Sequence, residues 1–225
     1  MTATPKIPNN NYALQLNLSK DTLAQIYNEG ELIFKTKGEH IFCQGDECDF
    51  WYYLVEGVVK ITHESEFGKG VIKNIIHGEY IISDIDFDTN STHQNSATVV
   101  SDQAKYLKIK IELLHNFIKS NPNFALRLVE FLSARLKMSE KRLESLALDD
   151  ARERIVGFLK DNAEAFGTPV GFEMLLRHNF TQQDIASYTG TSRQTVTMVL
   201  NDLKKTNKIN FRRKSILIRD LKALC

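Results

Sequence analysis

Residues 181–203, "TQQDIASYTGTSRQTVTMVLNDL", hold two short helical patterns around a single glycine. Thr181 with Asp184 three residues on is a capping-box-like start, so a helix is predicted over 182–188. Gly190 permits a tight turn. Thr191 or Ser192 then caps a second helix running to about Lys205. At about 100° per residue, this second helix puts Val196, Val199, Leu200 and Leu203 on one side, and Gln194, Thr197, Met198 and Asn201 on the other. Arg193 sits at the border, at the N-terminal end. An idle surface helix would carry Glu and Lys on its polar side. Guanidinium, amide and hydroxyl groups are instead the ones that hydrogen-bond base edges and phosphates in a major groove. The second helix therefore reads as one built to enter DNA.

The segment that follows, "KINFRRKSILIRD" (208–220), has two β-type runs, Ile209 to Phe211 and Ser215 to Ile218, joined by Arg212, Arg213 and Lys214. A hairpin of this kind is a wing. Its basic tip would lie on phosphates, giving affinity and salt dependence rather than sequence discrimination.

Charge is distributed accordingly. The whole chain of 225 residues has a net charge of only +1, but residues 168–225 carry 10 Lys/Arg against 4 Asp/Glu while residues 1–120 carry 11 against 16. An acidic body with a basic arm is the distribution expected of a binder of polyanions.

Upstream, from about Gly30 to Ile118, the chain breaks into short β-type runs: "HIFCQG", "FWYYLVEG", "VVKITHE", "VIKNIIHG", "YIISDIDF", "ATVVSD" and "KYLKIKI". Glycines at 38, 45, 57, 68, 70 and 78 punctuate them, a pattern that predicts a sandwich or barrel. "LSKDTLAQIYNEG", with Ser19 as a cap, Leu23 and Ile26 on one face and Gly30 at its end, reads as a short helix beside it. From residue 121 the period becomes helical. Ala125, Val129, Leu132, Leu136, Ser139, Leu143 and Leu146 alternate steps of four and three, an a/d seam with one polar gap that predicts self-pairing. The alternative is a helix lying on its own barrel through Leu126, Leu128 and Phe131. Asp149 and Asp150 start another helix, which ends near Gly167-Thr168-Pro169.

"FTQQDIASYTGTSRQTVTMVLNDLKKTNKI" resembles the winged helix-turn-helix of the cyclic-AMP receptor protein/fumarate-nitrate regulator family of bacterial transcription factors. "KGEHIFCQGDECDFWYYLVEGVVKI" is similar to the family's cyclic-nucleotide-binding β-roll, with Gly38, Gly45-Asp46 and Gly57 at its turns. The resemblance implies an α+β chain in three parts: a sensor β-roll over 1–120, a dimerisation helix over 121–148 and a winged helix-turn-helix over 149–225. It implies a homodimer on a near-palindromic stretch of double-stranded DNA, with RNA polymerase a further candidate partner. Arg193, Gln194, Thr197 and Met198 fall at base-reading positions, and Ser192 and Thr195 at phosphate positions. Better-known members carry Glu and Arg where this chain has Gln194 and Met198, so its operator is expected to differ from theirs. The dimer seam would comprise Val129, Leu132, Leu136, Ser139, Leu143 and Leu146.

In that family a Gly-Glu pair holds the ribose of a cyclic nucleotide and an Arg-Ser pair clamps its phosphate. The corresponding stretch is "HGEYIISDIDFDTNSTHQNSATVV" (77–100). Aligned on "SATV", it places Asn95 where the arginine is expected and keeps Ser96, while Ser83, with Asp84 beside it, falls near the carboxylate's place. Asn95 cannot supply the charge-assisted bond, about 1.5–3 kcal/mol, that a desolvated phosphodiester needs. His93 and Gln94 are partial substitutes. A cyclic nucleotide is therefore not the expected effector, and the cofactor is left unknown. Ser139 falls where the central helix reaches the ligand in the family, a polar register-setting residue being the other reading.

Cys43 and Cys48, with only distant Cys225, cannot supply the roughly four thiolates of an iron–sulfur cluster, so none is expected. An odd cysteine count argues for a reducing compartment. No basic start with an apolar run and no membrane-length apolar stretch is found, so the chain is expected to be cytoplasmic and without a membrane partner. The six histidines include no H-x-H pair, and H-E-x-x-H, G-x-S-x-G and P-loop patterns are missing, so catalysis is not expected. Two alternatives stay open: a regulatory module acting on a protein partner, which leaves the basic C-terminal segment without a role, and a DNA binder that needs no effector.

Overall fold

The computed structural model describes residues 20–68, 70–83 and 91–224, with the side chains of 20–23 excepted. Ser19, Leu23's side chain, Asp84 and Cys225 lie outside the described set. The chain divides into two compact units, one spanning Gln15–Arg135 and one containing Leu136–Cys225.

The first unit opens with α1 (Lys20–Glu29), which buries Ile26. Among the described residues eight strands follow: β1 (Glu31–Thr36), β2 (His40–Phe42), β3 (Phe50–Glu56), β4 (Val58–Glu64), β5 (Gly70–His77), β6 (Tyr80–Ile81), β7 (Ser96–Val99) and β8 (Gln103–Lys110). They pair antiparallel in two four-stranded sheets, ordered β1-β8-β3-β6 and β2-β7-β4-β5. Leu54 faces Tyr106 across the first, and Ile61 faces Ala97 across the second. Buried Trp51, Leu54, Val59, Ile81, Ala97 and Leu107 form the core of this roll. Gly57 turns β3 into β4 at a φ of +106°, and a Cβ there would lie 2.7 Å from the Gln103 carbonyl oxygen. No other residue type fits that approach.

Helix α2 (Ile111–Ser120) replaces the β texture expected to continue to Ile118. Its apolar residues recur at helical spacing, and Ile111 and Leu114 are buried. β1 has no counterpart among the β-type runs of the sequence, because Glu31, Lys35 and exposed Leu32 and Phe34 blur its alternation. Of "YIISDIDF", Tyr80–Ile81 is strand and residues 84–90 lie outside the described set.

Helix α3 (Pro122–Leu148) is one continuous element of 27 residues, and the division between the two units falls within it. The Asn121 side chain accepts from the Phe124 N–H at 3.1 Å, and Pro122 sits at the first helical position, where its missing N–H costs nothing. Phe124, Leu128 and Phe131 are buried against the roll, Phe131 edge-on to Tyr80 at 5.0 Å. Leu126, grouped with that face from the sequence, is exposed instead. The other stripe, Val129, Leu132, Leu136, Leu143 and Leu146, stays exposed in the single chain, as does Ser139.

In the second unit, α4 (Ala151–Phe166) starts at a complete capping box in which Asp150 and Glu153 each accept the other's backbone N–H. Then come β9 (Thr168–Val170), β10 (Glu173–Arg177), α5 (Gln182–Thr189), α6 (Arg193–Lys205), β11 (Ile209–Arg212) and β12 (Ser215–Ile218). The four strands form one antiparallel sheet, ordered β11-β12-β10-β9. The β9–β10 hairpin leaves no readable mark in the sequence. It is too short and too polar to alternate, and β10 becomes a strand because Leu176 pairs with Ile216 of β12.

Candidate nucleic-acid interface

Helix α5 begins where the sequence places it. The Thr181 side chain accepts from the Asp184 N–H at 3.1 Å, and the Asp184 carboxylate accepts from the Thr181 N–H at 2.7 Å and hydroxyl at 2.8 Å. It ends at Gly190 in the left-handed conformation. A Cβ at Gly190 would also sit 3.1 Å from Leu146 of α3, so backbone and packing both ask for glycine.

Ser192, rather than Thr191, caps α6: its Oγ accepts from the Thr195 N–H at 3.0 Å and pairs with the Thr195 hydroxyl at 2.8 Å. Val196, Val199, Leu200 and Leu203 are all buried, each contributing about 1.5–3 kcal/mol to docking the helix. Arg193, Gln194 and Asn201 are exposed, and Met198 is 66% exposed. Thr197 is half-buried, and its Oγ1 lies 2.7 Å from Gln182 Oε1 and 2.9 Å from the Arg193 carbonyl oxygen.

Beside α6 the wing hairpin pairs Ile209 with Ile218 and Arg212 with Ser215, so Arg213 and Lys214 make its two-residue turn. Arg212, Arg213 and Lys214 are exposed. The Lys214 carbonyl accepts from the His178 N–H at 3.1 Å, which fixes the turn to the end of β10. Lys204 lies 5.4 Å over the Phe211 ring. Part of the basic surplus counted along the sequence is thus displayed on the wing, beside α6.

Four arginines hold the reading elements in place. Arg154 donates to the carbonyl oxygens of Thr189 at 2.7 Å, Gly190 at 3.4 Å and Asp149 at 2.7 Å, answering the free C=O groups at the end of α5. Arg152 pairs with Asp202 of α6 at 2.7 Å, Arg142 donates to the Tyr188 carbonyl at 2.6 Å, and Arg219 pairs with Glu173. None of these roles is legible in the sequence, since every one of these bonds except that to Asp149 joins residues at least 35 positions from each other.

The residues expected from the sequence to line an effector pocket are placed as follows. Ser83 is buried and its Oγ accepts from the Tyr52 N–H at 3.2 Å. Asn95 is buried, and the Oγ of neighbouring Ser96 accepts from the Gln44 N–H at 2.9 Å. Asp84 lies outside the described residues, and Ser139 belongs to the other unit. His93 is buried. Its ring stacks on Phe42 at 3.9 Å, with Nδ1 3.8 Å from the Cys48 sulfur, while Gln94 is exposed. The fold brings in a cation that the sequence reading missed: Arg135 of α3 donates to the Ser83 carbonyl at 3.4 Å. Its signal was the spacing Leu128, Phe131, Arg135, a charge that continues the stripe facing the roll. Among the described residues no group of three His, Cys, Asp or Glu could hold a metal ion, and no helix is long and apolar enough to cross a membrane.

Residues 153–225 match the model of the Crp-like helix-turn-helix domain, and residues 32–121 that of the cyclic nucleotide-binding domain. The chain is 27% identical over 188 residues to a CRP-like cAMP-activated global transcriptional regulator of Mycobacterium tuberculosis, covering 84% of each chain. It is 27% identical over 189 residues to a global nitrogen regulator of Synechocystis sp., again over 84% of each. Its fold matches that of a CooA mutant from Carboxydothermus hydrogenoformans with a TM-score of 0.76 at 23% identity, over 97% of this chain and 96% of that one. These curated relatives are regulators of transcription rather than enzymes. The two domain matches, in this order around α3, establish that the chain belongs to the cyclic-AMP receptor protein/fumarate-nitrate regulator family of DNA-binding transcription regulators.

Proposed function

We propose that the protein works as a cytoplasmic homodimer that reads a near-palindromic operator and is controlled by a small effector, other than cyclic AMP, taken up in the β-roll. One observation carries the reading half of this: α6 buries its entire apolar side while Arg193, Gln194 and Met198 stand in solvent beside the basic wing. In a two-fold dimer such helices meet DNA about one turn apart, roughly 34 Å. Arg193 donates to guanine O6 and N7, Gln194 to adenine or a neighbouring phosphate, and Met198 packs on a thymine methyl. Ser192 and Thr195, with Arg212, Arg213 and Lys214, hold phosphates. The exposed stripe of Val129, Leu132, Leu136, Leu143 and Leu146 supports pairing through α3, with Ser139 as its polar register point.

The effector half rests on Asn95. It is buried and neutral where a phosphodiester would need a cation, and the Arg135 guanidinium is directed at the Ser83 main chain. Ser83, Asn95 and Ser96 remain the proposed effector residues of the roll. Signals pass along α3 and through Asp149-Asp150 to the reading helices, with a coupling of about 1–3 kcal/mol. RNA polymerase is the partner such a regulator would address once on its site. In vitro selection from a random duplex pool, with and without candidate nucleotides, tests all of this. Enrichment of a palindrome that is indifferent to cyclic AMP is expected. A failure to enrich any sequence would remove the proposal, and enrichment only with cyclic AMP would remove its effector half.

A further inference from the structure

The Thr197 hydroxyl has a single proton and two acceptors for it inside the protein: Gln182 Oε1 at 2.7 Å and the Arg193 carbonyl oxygen at 2.9 Å. Gln182 stands at the start of α5, fifteen residues away and off the base-facing helix. The Arg193 carbonyl, four residues back along α6, already accepts in the helix ladder and has one lone pair left, so Gln182 offers the shorter of the two bonds that compete for the proton.

A threonine hydroxyl at a major-groove surface ordinarily reads either kind of base edge, because it rotates to donate or to accept. Here the proton is held inside, and the oxygen has only lone pairs left to offer outward. Lone pairs are satisfied by an exocyclic amine, adenine N6 or cytosine N4. They are repelled by guanine O6 and thymine O4.

We propose that Gln182 is a positioning residue for operator specificity: by holding the Thr197 proton it makes Thr197 an obligate acceptor, which selects an amine-bearing base edge at one position of each half-site. This rests on the reading of Thr197 as a base-contacting residue. It assigns a specificity role to a side chain of the supporting helix.

The test uses the full chain on its selected operator, with each adenine in turn replaced by purine, which lacks the 6-amino group, and each cytosine by 2-pyrimidinone, which lacks the 4-amino group. At one half-site position the amine deletion is expected to weaken wild-type binding about two- to tenfold, the size of one hydrogen bond. At that position it should cost Thr197→Val nothing. Gln182→Leu, which leaves only the Arg193 carbonyl to compete for the proton, should lose much of this penalty while keeping wild-type affinity for random DNA. Gln182→Glu, which still accepts the proton, should keep the penalty and bind all sequences more weakly through its charge. The proposal is overturned if amine deletions cost Thr197→Val as much as wild type everywhere, or if Gln182→Leu retains the full penalty. Arg193→Ala is the control for the underlying reading. If it too leaves operator preference intact, base reading by α6 fails as a whole, whereas a loss confined to Arg193→Ala sinks only the role of Gln182.

Discussion

Arg142 of α3 holds Tyr188 of α5 twice over: one guanidinium nitrogen donates to the Tyr188 carbonyl at 2.6 Å, and the guanidinium carbon sits 4.3 Å over the Tyr188 ring. The tyrosine ring in turn packs on Phe158 of α4 at 5.0 Å, so one arginine joins the last turns of α3 to the first helix of the reading pair. Arg142→Ala should lower the unfolding free energy by about 1–3 kcal/mol, combining a charge-assisted hydrogen bond with a cation–π contact. Arg142→Lys keeps the charge but not the planar fork, and should recover less than half of the loss. Urea unfolding followed by tyrosine and tryptophan fluorescence measures both.

Removing Arg193 separates base reading from backbone binding. Arg193→Ala is expected to cost about 1–3 kcal/mol on the selected operator and less on random duplex. Fluorescence anisotropy on the two DNAs decides this. An equal loss on both would move Arg193 to the phosphate-binding group.

For the wing the opposite signature is expected. Replacing Arg213 and Lys214 by Ala should weaken binding to all sequences alike. It should reduce the slope of log K against log salt by about two, near 0.9 for each phosphate that is no longer neutralised. The specificity ratio should stay where it was.

The exposed α3 stripe predicts the assembly state. Leu136→Glu with Leu143→Glu places charge at two seam positions and should leave a monomer by sedimentation velocity. With the second half-site no longer tethered, operator affinity should fall about 10²–10⁴-fold. A double variant that remained dimeric would mean that the stripe pairs with something else.

Acid should weaken the fold. Burial pushes the His77 imidazole down to about 4 from its ordinary 6.5, and burial also lowers that of His178, against the pull of the Phe180 carbonyl. Both rings fold best neutral, so the unfolded chain binds more protons as pH falls. Stability is therefore full above about pH 6.5 and is lost progressively between there and pH 4. His77 alone accounts for up to about 3 kcal/mol. His77→Gln should flatten the acid limb of the urea midpoint, and a midpoint independent of pH in the wild type would contradict this.

Much of the reading apparatus was legible in the chain because its signals are local. Thr181 with Asp184, Gly190, Ser192 and the spacing of Val196, Val199, Leu200 and Leu203 each act within one or two helical turns. They place α5 and α6 within a residue of their observed ends. Asp150 marks α4 in the same way. The seam residues of α3 were equally visible as a period, and their exposure follows from the buried stripe of Phe124, Leu128 and Phe131 taking the other side.

What the tertiary structure decided is where distant side chains meet. Strands β1 and β10 exist because β8 and β12 offer them edges, and no local pattern announces a partner some 70 or 40 residues downstream. Arg135 reaches Ser83, Arg142 reaches Tyr188 and Gln182 reaches Thr197 for the same reason. Helical period and caps depend on neighbours that the covalent chain already holds close, so composition and spacing report them. A contact between separate elements depends on how the whole chain closes around its core, and only the folded molecule settles that.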